Sequence, residues 1–359
     1  MPEHRAKITA GRAGLLLSTL LAGPHCGPQF PPSWLIPAES SDEGGVVDPA
    51  GKLRVLAIAA EPPEAAPGAG VTAAALIVTH PRYGVAADLD GSGRLVGSPL
   101  PRGLSVQWRL CRLRDESLAP LPCGLVDASR TVDEQELPAL PAAATQLVAP
   151  PKDALPYTLV LTLIAADAAF PGGAAACHDQ AVQGGGVSPD AAHCVIAIKR
   201  IKVAADAAPN RNPQLAGVYL GPEDAALTEL TGQAGRYPLL DAGVDDSQRP
   251  QLLLVAERRP DAVESEPDPQ HAGSARPENL GASFFTTAGT LEAGRGSFFD
   301  LGCAEDPAQC PMLARSAVHW QPPAGRAAVE APDGVVFFFI VLRDDRGGVS
   351  FRRGYARAG

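Results

Sequence analysis

Short apolar runs, separated by turns rich in proline and glycine, dominate the chain from residue 53 onward. Between residues 104 and 110 apolar side chains occupy every second position, which is typical of a strand buried on one face. The same alternation recurs at 157–163. A third long strand is predicted at 194–203, where the apolar parity changes at Lys199–Arg200 and indicates a β-bulge.

The second half of the chain repeats this arrangement after the segment AADAAPNRNPQ at 204–214, which is typical of a joint between domains. Its apolar runs lie at 215–220, 252–256, 282–287, 317–321 and 335–342. The sequence DDRGG at 344–348 predicts a hairpin turn into a last strand at 349–353.

Helical periodicity is scarce, and no long amphipathic segment separates the predicted strands, so a coiled coil or an α/β sheet fits poorly. The pattern favours an all-β fold with two consecutive Ig-like antiparallel β-sandwich domains. We expect the first sandwich at 52–206 and the second at 207–359.

The first 51 residues follow a different pattern. A basic segment within the first twelve residues precedes an apolar stretch at 14–23, which is the order of a signal peptide. The apolar stretch is too short to span a bilayer, which needs about 20 apolar residues. We expect a signal peptide at 1–25, followed at 26–51 by a lipid-anchor cysteine and a flexible tether rich in proline, serine and acidic residues.

Cys26, just after the apolar stretch, is the candidate for lipid attachment. A standard lipid-attachment signal has a small residue directly before the cysteine, whereas Pro24 and His25 stand here. The alternative is cleavage after Ala22 or Gly23 by the general signal peptidase. That cleavage would release a soluble secreted protein with a free or otherwise paired Cys26.

The cysteine count supports export. The chain has 7 cysteines, and an even number remains once Cys26 is set aside. Sequence alone leaves many connectivities open, but pairing of sequence neighbours is the simplest, and an oxidising compartment would permit it. The predicted disulfides are Cys111–Cys123, Cys177–Cys194 and Cys303–Cys310. Each closes a short loop and is expected to stabilise the fold by about 3 kcal/mol or less.

Several motifs together carry a resemblance to a known group of proteins. They are CGPQF (26–30), LRVLAIAAEPPEAAPG (53–68), VQWRLC (106–111), NRNPQLAGV (210–218), GASFFTTAGTLE (281–292), VHWQPP (318–323) and VVFFFIVLRDDRGGVSF (335–351). The chain resembles uncharacterised surface lipoproteins of myxobacteria that carry bacterial Ig-like domains behind a lipidated cysteine. The resemblance covers most of the chain, and it implies a fold and a location but no activity.

Charge and composition limit the classes of partner that we expect the chain to bind. The net charge is −10 with no basic cluster, which argues against nucleic acid because binding to phosphates needs patches of lysine and arginine. Hydrophobic residues make up 45% of the chain and aromatic residues 5%, so the cores are expected to consist mostly of leucine, valine, alanine and isoleucine. The expected partners are a membrane, through the lipid on Cys26, and an unknown envelope protein or glycan.

A calcium loop is hinted at by ADLDGSG (87–93), which places Asp88, Asp90 and Ser92 at positions 1, 3 and 5 of such a loop. The full loop needs a bidentate glutamate at position 12, where this chain has Pro99. The preferred interpretation is an Asp/Gly hairpin turn without metal.

A zinc site is suggested by the mirrored pairs Cys177–His178 and His193–Cys194. Adjacent residues on an extended strand point to opposite faces and rarely bind one ion together. The preferred interpretation is a disulfide with two exposed histidines.

The aromatic run Phe337–Phe339 suggests a binding stripe, but a strand in the core is preferred, since an exposed aromatic patch favours aggregation. Phe337 and Phe339 are expected on the buried face and Phe338 on the other, partly covered.

The sequence lacks the G-x-S-x-G, H-E-x-x-H, Walker and G-x-G-x-x-G motifs. We therefore expect no catalytic residues, no cofactor and no enzymatic activity. The predicted function is a structural or binding role in the cell envelope, at the outer membrane or cell surface. Two alternatives are a secreted hydrolase whose active site lies in the loops and a surface domain that senses a ligand or a metal.

Overall fold

The computed structural model describes residues 53–78, 87–89, 95–97, 100, 102–113, 123, 131–137, 145–148, 156–183, 192–205, 210–230, 239–240, 250–267, 275–299, 312–324 and 334–358. These residues form mostly β-strands, with one α-helix among them, in sheets that pack as sandwiches. The strands pair antiparallel except for two short parallel pairs, one at each main sheet's edge. The predicted all-β sandwich fold is confirmed. The predicted signal peptide, tether and Cys26 lie outside the described residues.

Among the described residues, the first half of the chain contributes ten strands and the helix. The strands are β1 (Arg54–Glu61), β2 (Glu64–Ala65), β3 (Val71–Val78), β4 (Ala87–Leu89), β5 (Leu95–Gly97), β6 (Ser105–Leu113), β7 (Thr131–Leu137), β8 (Thr145–Val148), β9 (Tyr157–Ala166) and β10 (Cys194–Val203). Helix α1 (Gly173–Gln183) lies between β9 and β10. One sheet has the order β1-β3-β8, a second has β2-β10-β9-β6-β7, and β4 and β5 pair as a separate hairpin.

The described part of the second half contributes twelve strands. They are β11 (Leu215–Gly221), β12 (Thr228–Glu229), β13 (Leu239–Leu240), β14 (Leu252–Arg258), β15 (Ser265–Pro267), β16 (Ala275–Pro277), β17 (Leu280–Thr286), β18 (Thr290–Leu291), β19 (Arg295–Ser297), β20 (Arg315–Gln321), β21 (Val335–Asp344) and β22 (Val349–Ala358). Two short 3₁₀ helices lie at Asp224–Ala226 and Pro260–Ala262. The two main sheets have the orders β12-β11-β14-β20-β18 and β13-β22-β21-β17-β19.

Strand β10 corrects one prediction. It pairs with β9 without interruption, so the bulge predicted at Lys199–Arg200 does not form. The parity of buried residues changes because different partners cover the two faces of the strand. Cys194 and Ile196 pack with α1, whereas Ala197 and Ile201 lie on the opposite face, in the sandwich core.

Helix α1 was not predicted. It buries Ala174, Cys177, His178 and Ala181, which are spaced at i, i+3, i+4 and i+7 as one helical face requires. Two of these four side chains are alanine and one is histidine, so the apolar signal of this face is weak in the sequence.

The aromatic run on β21 is buried, as preferred, but the burial of Phe337 and Phe338 differs from the expectation. Phe338 is fully buried and meets Trp320 edge to face, with ring centroids 5.0 Å apart. On the opposite face Phe337 is half-buried and stacks on Phe339, which is fully buried. The expectation that Phe338 would be only partly covered is therefore wrong, because both faces of β21 are packed.

One continuous cluster contains buried apolar residues of both halves. Two smaller clusters lie apart from it in the first half. Strand β1 of the first half lies against β22 of the second half. The two sandwiches therefore share a packed contact, and buried polar residues lie at its border.

Candidate functional site at the joint between the sandwiches

The segment between the sandwiches contains two buried asparagines, Asn210 and Asn212. The amide of Asn212 donates to Ala60 O at 2.7 Å and to Glu61 Oε2 at 2.6 Å, both in the first sandwich. Its Oδ1 accepts from the backbone N–H of Val349 in the second sandwich at 2.7 Å. One side chain therefore bonds both sandwiches, which explains why an amide, with a donor and an acceptor, stands at this position.

The hairpin turn predicted at 344–348 is present, and β21 and β22 pair in antiparallel register on either side of it. Asp344, fully buried, accepts at Oδ1 from the backbone N–H of Arg346 at 3.0 Å and of Gly348 at 2.6 Å. Gly347 has φ of 92°, a left-handed conformation that favours glycine. The local sequence thus builds a tight turn around an acidic side chain.

Arg346 projects from this turn among three carboxylates. It donates to Glu64 of the first sandwich at 2.5 Å and to Glu278 of the second at 3.0 Å, and it lies 3.6 Å from Glu264. Glu264 also pairs with the exposed Arg211 at 3.1 Å. Hydrogen bonds to ionised groups are stronger than neutral ones, so this cluster ties the turn to the first sandwich.

Two more cations cross the joint. Lys199 of β10, on the inner face of the first sandwich, donates from Nζ to Gly347 O in the turn. Arg343 donates to Leu56 O of β1 at 3.0 Å and to Ser283 Oγ at 2.8 Å. Both side chains therefore bridge strands from different halves of the chain.

Burial shifts the protonation of several groups in the joint. It raises the pKa of Glu278 to about 7, with a further rise from nearby Asp344 and an opposing effect of Arg346. Burial also raises the pKa of Asp344 to about 6, opposed by the bond from Gly348 and by the charge of Lys199. The pKa of Lys199 is lowered to about 8 by burial, which outweighs the attraction of Asp344.

The contacts of this site join the two halves of the chain to each other. Glu64, Glu278, Asp344 and Lys199 are each more than nine-tenths buried, and their charges face one another across the two halves. Sequence reasoning placed a joint at 204–214 but missed the charged residues. The available signal was the charged turn DDRGG, whose partners are distant in sequence.

The cysteine predictions are confirmed where the structure describes them. Cys111 is bonded to Cys123, and Cys177 to Cys194. Cys303–Cys310 lies outside the described residues.

The expectation of two exposed histidines is wrong for His178, which is 4% exposed because α1 turns it inward. Arg109 lies 2.8 Å from its ring nitrogens, and Cys123 O lies 3.3 Å from Nε2. His193 is only partly buried and pairs with Asp167 at 2.9 Å.

The pair formed by His193 and Asp167 has a serine in its neighbourhood, at the same end of the sheet. Ser105 Oγ donates to Ala166 O at 3.2 Å and accepts from the N–H of Ala174 at 2.8 Å. Strand β9, which ends at Ala166, lies between Ser105 on β6 and His193 beside β10. The Ser105 hydroxyl therefore bonds the backbone at the start of α1. Because β9 lies between Ser105 and His193, the three side chains are not arranged as a serine–histidine–aspartate relay.

For the calcium candidate, Asp88 lies in β4, opposite Val96 of β5. Asp90 and Ser92 lie outside the described residues. The paired strands agree with a hairpin at this point. Within the described ranges, no group of three or more histidine, cysteine, aspartate or glutamate side chains is arranged to hold a metal ion.

Across the part of the chain that the structure describes, no helix is both long and apolar enough to cross a bilayer.

Comparison with known proteins assigns the chain to no family. No protein-family model matches the sequence, and no curated protein matches it. The chain is similar to a solved Escherichia coli alpha-2-macroglobulin activated by porcine elastase, at 9% identity and a TM-score of 0.19, over 86% of this chain and 22% of that one.

Two further solved structures overlap with the chain. The Yersinia pseudotuberculosis adhesin InvE does so at 10% identity and a TM-score of 0.16, over 84% of this chain and 58% of that one. Dimeric latent PorU from Porphyromonas gingivalis does so at 8% identity and a TM-score of 0.19, over 87% of this chain and 24% of that one. The chain spans less than two thirds of each, and TM-scores this low support no argument about fold or function. The resemblance to myxobacterial lipoproteins stays a prediction.

Proposed function

We propose that this chain is an exported protein of the cell envelope, anchored by a lipid on Cys26, with a structural or binding role and no catalysis. The observation that carries the proposal is the pair of buried disulfides, Cys111–Cys123 and Cys177–Cys194. Disulfides persist in oxidising compartments and are rare in the cytosol. The N-terminal order of basic segment, apolar stretch and cysteine supports the same location.

The joint supports a structural or binding role. Domains of one chain normally move relative to one another unless their interface is large and apolar. Here apolar contact is combined with hydrogen bonds from Asn212, Arg343 and Arg346 that reach the first sandwich. A body of this kind presents its surface loops at a fixed separation and orientation, which suits a spacer or a binding platform for an envelope protein or a glycan.

The charged groups with the most perturbed pKa values support a non-catalytic role. Such groups often mark active sites when they line a cleft. Glu278 and Asp344 instead are buried and accept hydrogen bonds from Arg346 and Gly348 of the turn at 344–348. Their raised pKa values then follow from burial.

Metabolic labelling with a fatty-acid analogue tests the anchor. Wild-type protein should be labelled and recovered in the envelope fraction, and Cys26→Ala should be unlabelled. His25→Gly is a matched control, because it places a small residue before the cysteine and should increase labelling. Unlabelled wild-type protein in the medium would favour cleavage after Ala22 or Gly23, and wild-type protein in the cytosol would overturn export.

Crosslinking and pull-down from native envelopes tests the role. A specific envelope protein or glycan recovered with the wild-type chain supports binding. Turnover of a peptide, ester or glycoside substrate that is abolished by one loop serine, aspartate or histidine substitution would contradict the non-catalytic proposal and favour a secreted hydrolase.

A further inference from the structure

Strand β1 lies at the edge of its sheet, whose described strands follow the order β1-β3-β8. Its sequence, RVLAIAAE at 54–61, has six apolar residues in a row, all of them buried, and one charged residue at each end. An edge strand carries backbone N–H and C=O groups that its own sheet does not use, and an apolar edge readily pairs with another chain. Native proteins therefore cover such edges.

The second half of the chain covers this edge with two side chains. Arg343 donates to Leu56 O at 3.0 Å, and Asn212 donates to Ala60 O at 2.7 Å. The ladder between β1 and β3 skips Leu56, at a bulge. Two carbonyls of β1 thus accept hydrogen bonds from outside their own sheet, where a further strand would otherwise bond them.

The cover is part of the joint. Strand β22 lies alongside β1, and Lys199 and Arg346 bond the turn at 344–348 to the first sandwich. Arg343 stands directly before that turn, and Asn212 lies in the segment that links the sandwiches. If the second sandwich moves away from the first, both donors leave the edge together, and the two carbonyls need new partners.

We propose that the outer edge of β1 is a pairing site for β1 of a second copy of this chain, and that the second sandwich keeps this site closed. When the joint opens, two copies pair through their β1 strands. This proposal goes beyond the role in the envelope and does not depend on whether Cys26 carries a lipid.

The charges of the strand favour a second copy in antiparallel orientation. Antiparallel pairing brings Arg54 at one end of β1 near the end of the partner strand that carries Glu61. Parallel pairing would place like charges side by side, which is destabilising. The six residues between the two ends are uncharged. Two-fold pairing of one strand with itself uses the same surface on both copies, as most homodimers do.

The order of synthesis gives the closed site a purpose. Leu56 and Arg343 are 287 positions apart, so the strand is made long before the side chain that covers it. Domains generally fold as units, with the N-terminal one first. The edge of β1 is therefore open in any chain whose second sandwich has not yet docked, and docking closes it against other copies.

The test measures the mass of the full-length protein by light scattering over a range of protein concentrations. Asn212→Ala combined with Arg343→Met removes both donors and should favour the dimer by about tenfold or more over wild type, because each lost bond to a buried carbonyl favours opening. Asn279→Ala combined with Arg352→Met is the matched control, since the bonds of these side chains stay within the second half. The control should keep the mass of wild type.

A local readout assigns the dimer to β1. An excess of the synthetic peptide RVLAIAAE should return the double variant to the monomer, whereas a peptide with the same residues in scrambled order should not. In hydrogen exchange, the amides of β1 should be better protected in the dimer than in the monomer of the same variant. A double variant that is no more dimeric than the control, or a dimer that the peptide does not dissociate, would overturn the proposal.

If the double variant does not fold, Arg343→Met alone is tested for binding of the same peptide, labelled with a fluorophore. The variant should bind the peptide about tenfold or more tightly than wild type does, because one of the two bonds that close the edge is lost. Equal binding to the variant and to wild type, or equal binding of the scrambled peptide, would overturn the proposal.

Discussion

Asn212 accepts a hydrogen bond from the backbone N–H of Val349 at 2.7 Å, so a residue between the sandwiches supports the start of the last strand. The same side chain donates to Ala60 O in the first sandwich. One buried amide thus bonds both halves of the chain. The stability of the whole body should be sensitive to this position.

Asn212→Ala should destabilise the protein by about 2–4 kcal/mol, because it leaves buried groups of Ala60 and Val349 without their partner. Denaturant unfolding of the full-length chain measures the change. Asn279→Ala is a matched control, since the Asn279 amide donates at 3.0 Å to Asp345 in a half-buried place and should cost about 1 kcal/mol. Equal losses for the two variants would contradict the role of Asn212.

Phe338→Ala should cost about 3–5 kcal/mol, because it opens a cavity beside Trp320 in the core of the second sandwich. Phe337→Ala, one position earlier on the same strand, removes a half-buried ring and should cost about 1–2 kcal/mol. Thermal unfolding of both variants checks the order. The reverse order would show that the strand faces are assigned incorrectly.

Lys199→Met should raise the pKa of Asp344 further above about 6, because the positive charge of Lys199 favours the ionised carboxylate. Lys202→Met is the control, since Lys202 lies exposed on the same strand. A carboxyl titration followed by NMR measures the shift. No change in the Asp344 titration, or an equal change with Lys202→Met, would show that Lys199 does not act on Asp344.

The ionisation of Lys199 predicts a change of folding stability with pH. Its pKa is lowered from 10.5 to about 8 by burial, so its charged form opposes folding. That cost is fully present below pH 8 and fades as pH rises from 8 to 10.5, where the unfolded chain still binds the proton. Lys199→Met should therefore flatten the rise in stability that the wild type shows over this range.

Replacing Cys177 and Cys194 together by alanine should cost about 3 kcal/mol, since the bond closes a loop with a sequence separation of 17. The same change at Cys111 and Cys123, separated by 12, should cost a similar amount. Hydrogen exchange distinguishes the two, because only the Cys177 variant should expose the amides of α1. Equal protection of α1 in both variants would contradict the anchoring of the helix by this disulfide.

Much of the fold could be predicted from local patterns. Alternation at 104–110 and 157–163 gave strands β6 and β9, and the charged glycine turn after β21 gave the last hairpin. Pairing of sequence neighbours correctly matched Cys111 with Cys123 and Cys177 with Cys194. These features depend on residues close together in the chain.

The remainder depends on contacts between distant residues. Arg346 and Glu64 are 282 positions apart, and nothing near either residue in the sequence indicates the other. Helix α1 was not predicted because its buried face consists largely of small residues. The same helix covers one end of β10, and the resulting change in which residues are buried was interpreted as a bulge. Burial of a polar or weakly apolar side chain is decided by the partner that covers it.

The most direct test of the central claim, export to an oxidising compartment, is the redox state of the cysteines in protein taken from living cells. Cells are quenched in acid, free thiols are alkylated, and peptides of the non-reduced protein are identified by mass spectrometry in each cell fraction. Linked peptides for Cys111–Cys123 and Cys177–Cys194 are expected in the envelope or secreted fraction. Alkylated thiols at all four positions, in protein recovered from the cytosol, would contradict it.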